Sequence, residues 1–102
     1  MTIRIGPYVA GEIPEPLVYA FLDAAGVAIN LTGYTASFRL RIGSAATATL
    51  AAVVTDAAAG QVTHTWLTGE LTAGQLFGEF IATGPSTKFY SARFVGTITA
   101  AL

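Results

Sequence analysis

Residues 35–42 constrain the fold most. Ala36, Phe38, Leu40 and Ile42 alternate with Thr35, Ser37, Arg39 and Arg41. Strict alternation over a run of this length specifies a strand in a half-buried antiparallel sheet, with one apolar and one solvated face. Similar short runs recur along the chain, separated by turn residues. Leu17–Leu22 is a continuous apolar run, and Asp23-Ala24-Ala25-Gly26 follows it as a turn. The Asp carboxylate accepts nearby backbone N–H groups there, and Gly supplies φ > 0. Residues 27–31 return as a short strand, and residues 47–54 form the β-branched partner of 35–42. Asp56 to Gly60 repeats the turn logic. Val62, His64 and Trp66 then share one strand face. Residues 68–74 are too short and too rich in Gly for a stable helix, so they read as a corner. Leu76, Gly78, Phe80 and Ala82 form the inward face of the next strand, which keeps Glu79 outside. Residues 88–90 start a strand or lie in a loop, and the last strand, 92–100, turns Phe94 and Ile98 inward.

This pattern gives about seven or eight strands at 8–12-residue spacing, which specifies an all-β chain, a β-sandwich or small barrel. Two hairpins, at about 35–54 and 61–83, are expected to supply most of the core, with Phe38, Leu40, Val62, Trp66, Phe80 and Phe94 at its centre. Residues 17–102 read as a single β-domain. Residues 1–16, punctuated by Gly6-Pro7, Gly11, Pro14 and Pro16, read either as an edge segment lying on that domain or as an extended arm. In the arm reading Ile3, Ile5, Tyr8, Val9 and Ile13 contact a neighbouring subunit. Removing residues 2–13 would then leave the domain folded but unable to assemble.

Composition narrows the function. The chain has 102 residues, 53% of them hydrophobic and only 11% charged, against about 25% charged in ordinary domains. No run approaches the roughly 20 continuous apolar residues of a membrane-spanning helix, and Pro7 interrupts the start of the chain where a secretory apolar core would begin. A poorly charged surface of this kind suits burial against other subunits. Five basic and six acidic residues give no electrostatic reason to expect nucleic-acid binding. The absence of cysteine excludes disulfides, thiolate nucleophiles and Cys-based zinc sites.

No catalytic, metal or cofactor site is legible, and neither a small-molecule substrate nor an enzymatic activity is expected. Ser37, Ser44, Ser86 and Ser91 lack a Gly-x-Ser-x-Gly elbow, and the carboxylates are scattered. Asp23 and Asp56 are explained by their turns, since calcium needs several convergent oxygens. His64, the only histidine, has no legible nucleophile, carboxylate or second ligand beside it, so it reads as a hydrogen-bonded imidazole within or at the rim of the core. Arg39 and Arg41 read as a solvated pair.

The run Leu17-Val18-Tyr19-Ala20-Phe21-Leu22-Asp23, with Gly26, Ile29 and Leu31-Thr32-Gly33, opens a longer pattern. Phe38-x-Leu40-Arg41, Asp56 to Gly60-x-Val62 with Trp66, and Leu71 to Gly74 with Glu79-Phe80 continue it. Together they resemble the N-terminal domain of phage baseplate upper proteins over residues 17–83, with Leu76 standing where that pattern favours an aromatic. The resemblance implies an antiparallel immunoglobulin-like β-sandwich. It also implies a structural protein of a tailed-phage virion, made in the host cytoplasm and packed as a homo-oligomer against tail or baseplate subunits. A capsid decoration or head-to-tail connector protein is the first alternative. A carbohydrate- or cell-surface-binding module is the second, and it requires exposed aromatic faces among Tyr8, Tyr34, Phe89 and Tyr90.

Overall fold

The computed structural model describes residues 2–102, and among them there are ten strands and no helix. In chain order they are β1 (Thr2–Arg4), β2 (Tyr8–Val9), β3 (Leu17–Ala20), β4 (Thr35–Ile42), β5 (Ala48–Ala51), β6 (Val53–Asp56), β7 (Gln61–His64), β8 (Gly74–Thr83), β9 (Lys88–Tyr90) and β10 (Arg93–Thr99). Seven of them form one sheet along the path β1-β10-β8-β4-β5, with β2 also on β10 and β9 also on β8. The other three form a second sheet in the order β3-β7-β6. All pairings are antiparallel except those of β1 and β2, which run parallel to β10.

The alternation in β4 does what its pattern dictates. Phe38 and Leu40 are buried, while Arg39 and Arg41 point the other way. Leu76, Phe80 and Ala82 of β8 are buried on the same side, as are Phe94 and Ile98 of β10. From the opposite layer Val62 and Tyr19 complete the core, and Tyr19 lies against both Phe80 and Phe94. Ile81 faces outward, yet it is also buried. Strand β9 runs alongside β8 there and places Tyr90 opposite it.

Three sequence expectations change. Residues 47–54 do not form one strand: β5 pairs with β4 in the large sheet, and after Ala52 the chain continues as β6, paired with β7 in the small one. Leu50, Ala52 and Val54 all keep packing against the core, so the chain changes layer without losing its inward face. Residues 61–83 are not a hairpin either. Strand β7 pairs with β3 and β6, whereas β8 pairs with β4 and β10. The corner between them crosses the layers, and it is pinned by Trp66 and Leu71, each 1% exposed. Residues 27–31 contribute only a single bridge, Leu22 to Ala28. The Asp23 carboxylate closes the turn by accepting from Ala25 N at 2.9 Å and Val27 N at 3.0 Å, and beyond the bridge Phe21 N donates to Gly60 O at 2.8 Å and Leu31 N to Ala57 O at 2.9 Å, which takes the N–H groups a longer ladder would need. Gly60 closes the matching turn. Its φ is +66°, and a Cβ there would sit 2.6 Å from the Phe21 carbonyl oxygen.

Residues 2–10 are the edge of the large sheet. Thr2, Ile3 and Arg4 lie opposite Arg93, Phe94 and Val95, and Tyr8 and Val9 opposite Ile98 and Thr99. Ile5 N donates to Val95 O at 2.9 Å and Ala10 N to Thr99 O at 2.8 Å. The approach is close enough to require Gly96, where a Cβ would stand 2.6 Å from the Ile5 carbonyl oxygen. Ile3, Ile5, Tyr8 and Ala10 pack against the core, whereas Val9 and Ile13 are exposed. Burial, with the Glu12 carboxylate next in effect, raises the Tyr8 phenol above its ordinary pKa, and the ring lies beside Trp66.

Candidate functional site

The two outer faces of the molecule differ in chemistry. On the large sheet, cross-strand register brings distant residues into rungs. Arg39 of β4 lies opposite Glu79 of β8, with the ions 3.6 Å apart. One residue beyond the Phe94–Gly78 pair, Arg93 falls on the other side of Glu79. The next rung outward-facing is Arg41, Phe77, Val95 and Arg4, and the Arg41 guanidinium carbon lies 4.7 Å from the Phe77 ring centroid. Lys88, opposite Thr83, lies on the same face, 6.0 Å from the Tyr90 ring centroid. All five cations of the chain therefore sit on one sheet face with a single carboxylate. That face carries a formal +4; the other five carboxylates leave the rest of the chain at −5, which gives the net −1. Between the rungs is an open hollow of about 220 Å³ lined by Arg39, Arg41, Thr47, Phe77, Glu79 and Arg93.

Only Arg39 and Arg41 are legible in the sequence as a pair. Arg4, Lys88 and Arg93 join them through strand pairing, which has no local mark.

The small sheet presents the opposite character. Val18, Thr63 and Val53 form one rung, and Ala20 lies opposite Gln61. Val18 is 49% and Val53 57% exposed. Thr55 and Thr63 hydroxyls lie 3.0 Å apart. These side chains carry no charge, and among the described residues the outer edges of β3 and β6 have no strand partner.

His64 is buried, 1% exposed, and bridged on both sides. Its Nδ1 donates to the Ala51 carbonyl oxygen at 2.7 Å, because a carbonyl has no hydrogen to give. Its Nε2 lies 2.9 Å from Glu70 Oε1, which also accepts from Leu67 N at 3.0 Å. The carboxylate partner, six residues further on, was not legible because the corner that returns it has no periodicity. Phe38 stacks on the imidazole at 4.8 Å and Trp66 meets it edge-on at 4.9 Å. The network ties β5 to the corner inside the core. Glu70→Ala should therefore cost about 1–3 kcal/mol, the usual penalty for orphaned buried donors. A fall in the urea midpoint at unchanged slope reads this out; a shift within about 0.5 kcal/mol, typical of surface changes, would contradict it.

Phe38, Leu40, Val62, Trp66, Phe80 and Phe94 are all buried. Tyr34 and Phe89 stack on each other at 5.9 Å and pack against the core, and the Tyr34 and Thr87 hydroxyls are hydrogen-bonded. Tyr90 is 53% exposed. Among the described residues, no three His, Asp or Glu side chains converge as a metal site would require, and no helix is long and apolar enough to cross a membrane.

No protein-family model matches this sequence, and a search of curated proteins finds no significant relative. The baseplate-domain resemblance thus rests on the residues named for it.

Proposed function

We propose that this chain is a non-enzymatic assembly subunit of a tailed-phage virion, built on an immunoglobulin-like sandwich and packed against tail or baseplate neighbours. The observation that carries this is the Val/Thr/Ala outer face of the small sheet, charged only at its Asp56 end and bounded by edges of β3 and β6 that have no strand partner among the described residues. Open edges and flat apolar faces are liabilities for a free protein and contacts for an assembled one. The strand grouping supports the immunoglobulin-like part. Strands β3, β7 and β6 correspond to B, E and D of that fold, and β4, β8 and β10 to C, F and G, with β5 added beside C as in variable-type domains. The N-terminal edge on β10 and strand β9 lie outside that correspondence.

Mass spectrometry of purified particles of the encoding phage tests the proposal. Peptides of this chain should be present in multiple copies per particle. A Val53→Glu variant, which places a charge on the exposed edge, should fold normally and be depleted from particles at least about tenfold, since an unpaired charge buried at an interface is strongly disfavoured. Absence of the wild-type chain from particles would overturn the reading.

A further inference from the structure

The cationic face has a complement in the chain itself. Residues 12–16 belong to no strand, and Glu12-Ile13-Pro14-Glu15 places an exposed Ile13, 58% accessible, between two carboxylates. Pro14 and Pro16 hold the residues before them in extended conformations, so the segment is stiff before it meets anything. Glu12 Oε1 accepts from Val9 N, which fixes that end.

The rung Arg41, Phe77, Val95, Arg4 is the matching surface: a half-buried apolar centre of Phe77 and Val95, with Arg41 resting on the Phe77 ring at one end, Arg4 at the other and no carboxylate of its own. Arg41 and Arg4 stand three strand spacings apart, about 14 Å. The Cα atoms of Glu12 and Glu15 are separated by about 10 Å if extended, and the long side chains close the difference. Within one chain the segment does not lie on this rung. It is tied to the far end of β10 by Ala10 N to Thr99 O and to the corner by Gly11 N to Leu71 O, then leads to β3 in the other sheet.

We infer that the Arg41–Phe77–Val95–Arg4 rung of one copy receives the Glu12–Glu15 segment of a second copy of this chain, Ile13 covering Phe77 and Val95 and the two carboxylates meeting the arginines. This deepens the assembly reading and rests on it. The two surfaces are different, so the contact is head-to-tail, and repeated it gives a ring or an open row rather than a closed pair.

Sedimentation equilibrium of the full chain tests this. Wild type should self-associate at low salt, and raising salt from about 50 to about 500 mM should weaken association roughly tenfold by screening. Glu12→Gln with Glu15→Gln, which keeps an acceptor for Val9 N, and Arg4→Glu with Arg41→Glu should each weaken it by about tenfold or more. Arg41→Glu alone serves if the paired change disturbs β1. The equimolar mixture of the two variants decides the matter. Each retains the surface the other lacks, so the mixture should form a 1:1 dimer and stop there. A wild type that stays monomeric at low salt, association unaffected by either variant, or a mixture no larger than its parts would each overturn the inference. Incorporation into particles, measured separately, would still stand for the broader reading in those cases.

Discussion

A chain without residues 2–13 is expected to lose its cooperative thermal transition, followed by far-ultraviolet circular dichroism. Deletion removes β1 and β2 and with them Ile3, Ile5 and Tyr8, which pack against the core, while Tyr8 leaves the side of Trp66. Full burial of such side chains is worth about 1.5–3 kcal/mol each; these are half-buried, so roughly half of that applies. The lost backbone bonds to β10 add about 0.5–1.5 kcal/mol apiece. The total is comparable to the whole stability of a small domain, about 5–15 kcal/mol. The deletion also bares the edge of β10 along its length, which invites aggregation. Of the two sequence readings of residues 1–16, edge segment or extended arm, the arm treats their punctuation by Gly and Pro as a sign of detachment. Punctuation marks where the strand bends and says nothing about what lies beside it. A truncated chain that unfolds cooperatively at the wild-type temperature would show that the edge strand is idle.

Trp66→Ala should cost about 3–5 kcal/mol, the range for deleting a buried aromatic. The indole is 1% exposed and meets Phe38 edge-on at 5.8 Å, His64 at 4.9 Å and Tyr8 at 6.1 Å. It also anchors the corner that carries the chain from one layer to the other, so the loss affects both sheets. Its Nε1 has no hydrogen-bond partner among the described residues, an unfavourable element of the wild type. Trp66→Phe should therefore be much milder than Trp66→Ala, since it drops the unpaired N–H and keeps most of the packing. Urea unfolding of both variants measures the difference. If Trp66→Ala unfolds at the wild-type midpoint, the ring contributes no core packing.

How much was legible depends on range. The period of β4 and the inward set of β8 follow from side-chain alternation, which is local, and both are recovered. His64 falls on the Val62–Trp66 face for the same reason. The change of layer at Ala52 was hidden because Leu50, Ala52 and Val54 keep the alternation unbroken across it. The pairing of β7 with β3 and β6 instead of β8 depends on how a periodless corner is anchored, and Trp66 and Leu71 do that from within. The cationic face was hidden more deeply. Arg4 and Arg93 are far apart in sequence and meet Arg39 and Arg41 only through the register of four strands. Net charge, being near zero, conceals a separation of +4 from −5.

The parallel pairing of β1 and β2 with β10 has a mechanical consequence. The first strand begins opposite the start of β10, and the final strand leaves at the other end of the same pairing, past the Val9–Thr99 match. Tension applied between the two ends of the chain therefore pulls along these strands in opposite directions. It loads their hydrogen bonds in shear, all together, instead of peeling them apart one at a time. A subunit strung in a row and pulled from its ends would resist with this seam first, and Ile5 sits close over Gly96 within it.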